Sequence, residues 1–219
     1  MEFLKLFQNH SEYEAFVSGG TMVKPNVSHC INENEVHYNP IETRLIVKYN
    51  VIDANNNLTQ LYNYDAGENI TANLMFDKVE VDDIEVPIAD LDVAEGEYPF
   101  SVGEHTVKYT LKDPTSIKSY AFAWCCITSV VIPNSVTTIE DFAFRGCSSL
   151  TSVTIPDSVT SIGGMAFGGC TGLTSVTIGN SVTTIESDTF CGCSSLDENS
   201  RNTIMTINSS ASFGNCVIK

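Results

Sequence analysis

Residues 150–173 read Leu150-Thr151-Ser152-Val153-Thr154-Ile155-Pro156-Asp157-Ser158-Val159-Thr160-Ser161-Ile162-Gly163-Gly164-Met165-Ala166-Phe167-Gly168-Gly169-Cys170-Thr171-Gly172-Leu173. Every apolar landmark in this stretch recurs at one spacing. Ile132, Ile155 and Ile178 lie 23 residues apart, as do Val136, Val159 and Val182, and Ile139, Ile162 and Ile185. Phe144, Phe167 and Phe190 keep the step, Leu150, Leu173 and Leu196 follow it, and Cys147, Cys170, Cys193 and Cys216 complete it. Upstream, Ile117, Phe122 and Cys125 correspond to Ile139, Phe144 and Cys147 with one residue deleted before Ile127. Downstream, Phe213 and Cys216 fall one period past Phe190 and Cys193, while Arg201 and Asn208 stand where isoleucine is due. Inward anchors that persist while the pattern frays mark a terminal cap.

A fixed period of this length is the signature of a solenoid, because one unit cannot bury its own apolar face and needs stacked neighbours. Leu150-x-x-Val153-x-Ile155 fits the pattern L-x-x-L-x-L. Val153 and Ile155 alternate with Ser152 and Thr154 as on a strand, and Pro156-Asp157-Ser158 ends it. Ile162 to Phe167 is expected to form the return side, with Cys170 closing the turn. The expected product is a short right-handed solenoid with a parallel sheet along one side.

The segments Ile155-Pro156-Asp157-Ser158-Val159-Thr160-Ser161-Ile162 and Ala143-Phe144-Arg145-Gly146-Cys147-Ser148-Ser149-Leu150 resemble the BspA-like class of leucine-rich repeats. The resemblance covers residues 113–219. It implies a bacterial or protist surface protein concerned with adhesion, and therefore binding of a protein or a surface glycan receptor.

Ahead of the repeats, residues 41–112 read as short strands. Leu45, Val47 and Tyr49 alternate, and Asn55-Asn56-Asn57 marks a turn. Val79 and Val81 flank Glu80, then Ile84, Val86 and Ile88 follow Asp82-Asp83, and Val107, Tyr109 and Leu111 alternate to the end. The spacing predicts a small β-sandwich, immunoglobulin-like in pattern though without the cysteine–tryptophan signature. Its last strand is expected to shield the first repeat. The expected fold is thus mainly β: a leucine-rich-repeat solenoid over 113–219 preceded by a β-sandwich-like domain over 41–112. Residues 1–40 lack a period and read as an extended, anchoring arm, the candidate segment for homo-oligomer formation. This arm is similar to N-terminal segments of phage or prophage structural proteins of gut bacteria.

Composition narrows the function classes. The formal net charge is −16, and residues 1–112 hold 19 of the 27 acids against 7 of the 11 bases. Such a surface repels phosphate backbones and anionic lipid, so neither nucleic acid nor membrane is an expected partner. No run of about 18 apolar residues is present to insert in a membrane. The opening Met1-Glu2-Phe3-Leu4-Lys5-Leu6-Phe7 lacks the apolar core of a secretory signal. The expected location is extracellular, on a cell surface or a virion, the latter reached by lysis.

Chemistry is sparse. There is no G-x-S-x-G, no P-loop and no strand-borne G-x-G-x-x-G, so no catalytic residue is assigned and the chain is read as non-enzymatic, without a cofactor. Cys125, Cys147, Cys170, Cys193 and Cys216 read as reduced thiols acting as small hydrophobes. His29, Cys30, Glu33, Glu35 and His37 lack a ligand motif, and the nine carboxylates from Asp77 to Glu97 lack a calcium loop, so no metal is expected. What remains is the open face of the repeat strands: Ser129, Val131, Ser152, Thr154, Ser175 and Thr177. This hydroxyl-lined ladder suits hydrogen bonding to a sugar or a protein edge, although the first role of such soluble strand formers is to keep an exposed sheet wet. The leading expectation is a non-catalytic binding module, and the alternative is a structural virion or surface-assembly component anchored by its N-terminal region.

Overall fold

A computed structural model describes residues 27–32, 35–40, 44–52, 58–63, 71–93, 97–186 and 188–214. The chain divides into two compact units, Met1–Thr43 and Arg44–Lys219. In the first, β1 (Val27–Asn32) and β2 (Glu35–Pro40) pair antiparallel from Val27↔Pro40 to Asn32↔Glu35. Part of the expected arm is therefore a hairpin. The remainder, Glu33 and the side chains of His29, Cys30, Glu35 and His37 lie outside the described residues.

In the second unit, the stretch that sets the period folds as its alternation dictates. Val153 and Ile155 are buried and Ser152 and Thr154 exposed on β12 (Ser152–Ile155). It pairs in parallel with β10 (Ile127–Val131) and β14 (Ser175–Ile178). Each turn also lends two residues to a second parallel sheet: β9 (Ser116–Ile117), β11 (Thr138–Ile139), β13 (Ser161–Ile162) and β15 (Thr184–Ile185). The solenoid thus carries two parallel sheets where one was expected. The second escapes a sequence reading because two-residue strands have no alternation to display.

Between the sheets the repeat anchors superpose. Phe122, Phe144, Phe167 and Phe190 stack at centroid separations of 5.4, 5.3 and 5.4 Å with planes within 4–10° of parallel. The cysteine ladder does more than fill space. The thiol of Cys147 donates to the Phe122 carbonyl at 3.1 Å, that of Cys170 to Phe144 at 3.1 Å, and that of Cys193 to Phe167 at 3.0 Å. Each thiol gives a second hydrogen bond to a carbonyl of the preceding turn that already accepts a backbone N–H, a bond alanine or valine could not add. Burial pushes the Cys147 thiol up to about 12, so it stays protonated and able to donate. Cys125, Cys147, Cys170 and Cys193 are free thiols, whereas Cys191, outside the ladder, is disulfide-bonded. Cys216 lies outside the described residues.

Upstream of the repeats, β3 (Leu45–Val51), β5 (Phe76–Val81), β6 (Ile84–Val86) and β8 (Gly103–Leu111) pair antiparallel in the order β3-β8-β5-β6. β3 then pairs antiparallel with β10, so one seven-stranded sheet runs β14-β12-β10-β3-β8-β5-β6. This corrects the expectation that the last strand, β8, would cover the first repeat. β8 is an interior strand, paired with β3 and β5, and β3 meets the solenoid. Two further expectations give way. Ile84 is 69% exposed, and Ile88 opens helix α2 (Ile88–Val93). Pro87 lacks the N–H that a continuing strand would need and is suited to a helix start. The Asn55-Asn56-Asn57 turn lies outside the described residues.

A separate pair, β4 (Leu58–Gln60) with β7 (Glu97–Pro99), joins this region, as does the short helix α1 (Ala72–Met75). Just past β4, the Leu61 carbonyl accepts hydrogen bonds from the buried hydroxyls of Tyr49 at 3.0 Å and Tyr109 at 2.5 Å. Just past β7, Phe100 stacks on Tyr49 at 5.6 Å. Tyr109 and Phe76 also reach Phe122, at 5.2 and 6.0 Å, which links this core to the phenylalanine stack. Nothing in this pairing is specific to an immunoglobulin-like sandwich.

The far end of the sheet is closed by helix α3 (Glu198–Ile207), capped by Asp197, whose carboxylate accepts from Ser200 N at 2.7 Å. The Ser200 hydroxyl meets Val176 N at 2.9 Å, and the Asn208 amide donates to Ile185 O at 2.6 Å. Arg201 donates to the Leu196 and Ser194 carbonyls. The decayed positions Arg201 and Asn208 are polar because they satisfy backbone that no further strand would pair. Among the described residues no helix is long and apolar enough to cross a membrane.

Candidate functional site

All six ladder residues fall on the outward face of the seven-stranded sheet. Ser152, Thr154 and Thr177 are exposed, Ser129 and Ser175 half-buried, and Val131 53% exposed. Strand register aligns them into rows. Thr177 pairs with Thr154, Thr154 with Val131, and Ser175 with Ser152. Neighbouring strands lie about 4.8 Å apart, so hydroxyls recur at that step.

The rows do not stop at the solenoid. Val131 pairs with Ile46, Ile46 with Lys108, Lys108 with Glu80, and Glu80 with Glu85. In the second row Ser129 pairs with Lys48, and Lys48 with Thr106. The hydroxyl ladder therefore opens onto a charged field. There Arg44 pairs with Glu80, Lys78 bridges Glu80 and Glu85, and Lys108 holds Asp83 at 2.6 Å. Several of the acids between Asp77 and Glu97 are thus partners of cations on a strand face. Lys48 is exposed beside Ser129 with no acid partner among the described residues. Ile46, Lys48 and Lys108 were missed in the sequence because nothing local says that β3 meets β10. The outward positions 46 and 48 of β3 were the available signal.

One side-chain constellation has the residue types of a nucleophilic triad. His105 Nδ1 lies 2.6 Å from Asp82 Oδ2, and its Nε2 lies 3.4 Å from Ser101 Oγ. Nε2 is closer, at 2.9 Å, to the Ser101 carbonyl. Both ring nitrogens face acceptors, so the protonated imidazolium fits best, and a protonated ring cannot take a proton from serine. Burial opposes charge on both partners, but their mutual hydrogen bond wins: His105 is raised above its ordinary 6.5 and Asp82 lowered below 3.8. Asp82 and Asp83 adopt left-handed φ of 48° and 68° at the β5–β6 turn, and the Asp82 carboxylate also accepts from Thr106 N. The group is a clamp on that turn.

Its pH signature has a definite sign. The contribution from His105 is complete below pH about 6.5 and is lost as pH rises through its raised value. The contribution from Asp82 is present above pH about 4 and is lost as pH falls through its lowered value. Thermal melts of the parent chain are therefore expected to lose more stability between pH 6 and 8 than those of a His105→Gln variant. The difference should stay below about 1 kcal/mol, because the Asp82 side chain is half exposed to screening solvent. Parallel pH profiles for the two proteins would remove the clamp assignment.

The repeat has a counterpart in a known family. The BspA type leucine rich repeat region matches residues 115–219 in six copies. No curated protein matches the chain. A solved structure of the T. pallidum leucine rich repeat protein matches at 25% identity and a TM-score of 0.31, over 39% of this chain and 51% of that one. The chain thus spans about half the length of that relative. With its 23-residue ladders, stacked phenylalanines and paired parallel strands, the region 115–219 belongs to the BspA-type leucine-rich repeats.

Proposed function

We propose that the chain is a non-catalytic recognition module, displayed on a bacterial cell or virion surface, that meets a protein or glycan receptor with the open face of its seven-stranded sheet. The observation that carries this reading is the in-register row Thr177–Thr154–Val131, flanked by Ser152, Ser175 and Ser129, with Ser129 opposite Lys48, a cation that has no acid partner among the described residues. A rigid sheet holds these groups in place, so little ordering entropy opposes binding. Membership of the repeat family supports the same reading, since such repeats typically serve adhesion and protein binding.

The test is a binding screen against host-surface proteins and glycans, repeated with Thr154→Glu. A charge at the centre of the row is expected to weaken the recognised ligand at least about tenfold, the scale of one lost charge-compatible contact. A ligand bound equally well by both proteins would place recognition elsewhere. The structural alternative is favoured by the separate hairpin-containing unit of residues 1–43. It requires the full chain to be a defined oligomer by light scattering, and a monomer would end it.

A further inference from the structure

The turns that link the second sheet back to the first break their own pattern in the first repeat. Two residues past the stacked phenylalanine, three turns carry glycine at positive φ: Gly146 (72°), Gly169 (74°) and Gly192 (75°). The first turn carries Trp124 there, in the same left-handed conformation at φ 59°. Any residue with a β-carbon pays about 1–2 kcal/mol for that conformation. The indole lies against Gly146, where a β-carbon would stand only 2.6 Å from Trp124 Cδ1. Yet Trp124 remains 55% exposed.

Its neighbours extend the surface. The Arg145 guanidinium sits 5.1 Å from the Trp124 ring centre and 5.4 Å from that of Phe142. Phe142 in turn stacks on Tyr120 at 4.6 Å and 14°, both at left-handed φ near 60°. Stacking occupies the face of a guanidinium and leaves its in-plane N–H donors available. Among the described residues no carboxylate or carbonyl accepts them, whereas the neighbouring cation Lys118 is held by Asp113 and Glu140. In a chain of net charge −16, a cation without an acid is a vacancy for an anion.

We propose that Trp124 and Arg145 form a subsite for an acidic sugar, a pyranose bearing a carboxylate. The apolar face of the ring lies on the exposed indole, and the carboxylate takes a paired hydrogen bond from the in-plane donors of Arg145. The guanidinium already touches the indole, so one sugar ring beside it with its carboxylate substituent reaches both groups. An acidic peptide such as triglutamate would supply the charge but no rigid ring for the indole. The subsite is distinct from the sheet face: its residues lie in the turns, and none of them belongs to the hydroxyl rows.

Trp124 is the single tryptophan of the chain, so its fluorescence reports this subsite directly. The full chain is titrated with trigalacturonic acid, with its fully methyl-esterified form and with a triglutamate peptide. The expected result is a saturable fluorescence change with the acid and affinity at least about tenfold weaker for the ester, the loss of one charge-assisted hydrogen bond. Arg145→Gln, checked for folding by circular dichroism, should weaken the acid to the level of the ester. Thr154→Glu should leave the response unchanged, which separates this subsite from the sheet-face reading. No saturable response to the acid, or equal affinity for acid and ester, overturns the proposal, and both are read on the unmodified chain. Tighter binding of triglutamate overturns the sugar assignment.

Discussion

Phe167→Ala is expected to cost about 3–5 kcal/mol of unfolding free energy, the range for truncating a buried aromatic side chain. Phe167 is fully buried between Phe144 at 5.3 Å and Phe190 at 5.4 Å, so truncation removes two stacking contacts and opens a cavity on the solenoid axis. Its carbonyl also accepts the Cys193 thiol, and collapse of the backbone into the cavity would strain that bond. Domains of this size are stable by only about 5–15 kcal/mol, so the loss takes a large share of the total. Phe167→Leu, which keeps most of the volume but loses both ring stacks, should cost less, about 1–3 kcal/mol. Denaturant midpoints decide the matter, with the exposed Thr177→Ala as reference. A Phe167→Ala midpoint indistinguishable from the reference would mean that the stack is not what holds the turns together.

Ile204→Ala tests the other weak point, the closed end. Ile204 is the fully buried anchor of α3, and the ten residues of that helix are too few to be stable without docking. Truncation should cost about 2–5 kcal/mol and lower the thermal midpoint by roughly 5–15 °C. A second consequence separates this site from an ordinary core position. Release of α3 withdraws the Ser200 hydroxyl from Val176 N and the Asn208 amide from Ile185 O, which bares the edges of β14 and β15. Bare parallel edges recruit other chains. Light scattering should therefore show concentration-dependent association in Ile204→Ala and none in Met205→Ala, whose side chain is half exposed. A monomeric Ile204→Ala with the parent midpoint would show that the helix does not guard the edge.

The helix itself was within reach of the sequence. Asp197-Glu198-Asn199-Ser200 offers an N-cap with an acid in the first turn, and Ser200, Ile204 and Ile207 share a helical face. The 23-residue period masks it, because that period places strand positions at Arg201 and Asn208. The hydroxyl ladder, by contrast, was legible residue by residue. Strand alternation sends Ser152 and Thr154 outward once Val153 and Ile155 are known to face inward. The aromatic subsite lay between these cases. The repeat shows that Trp124 replaces a glycine position, but its contact with Arg145 depends on two turns lying one above the other.

By itself, the sequence determined the solenoid, its inward anchors and its outward rows. In a repeat each unit meets a near-copy of itself, so a residue and its neighbour one turn away can be read from the same local pattern. Tertiary structure decided what closes the array at each end. β3 joins β10 through residues some 80 positions apart, as Ile46 with Val131, and antiparallel where the repeats are parallel. No local period encodes that meeting, because a backbone edge accepts any strand of fitting register and exposes no side-chain signal of its choice. The charged half of the open face, with Lys48 beside Ser129, exists only because that edge was filled by β3.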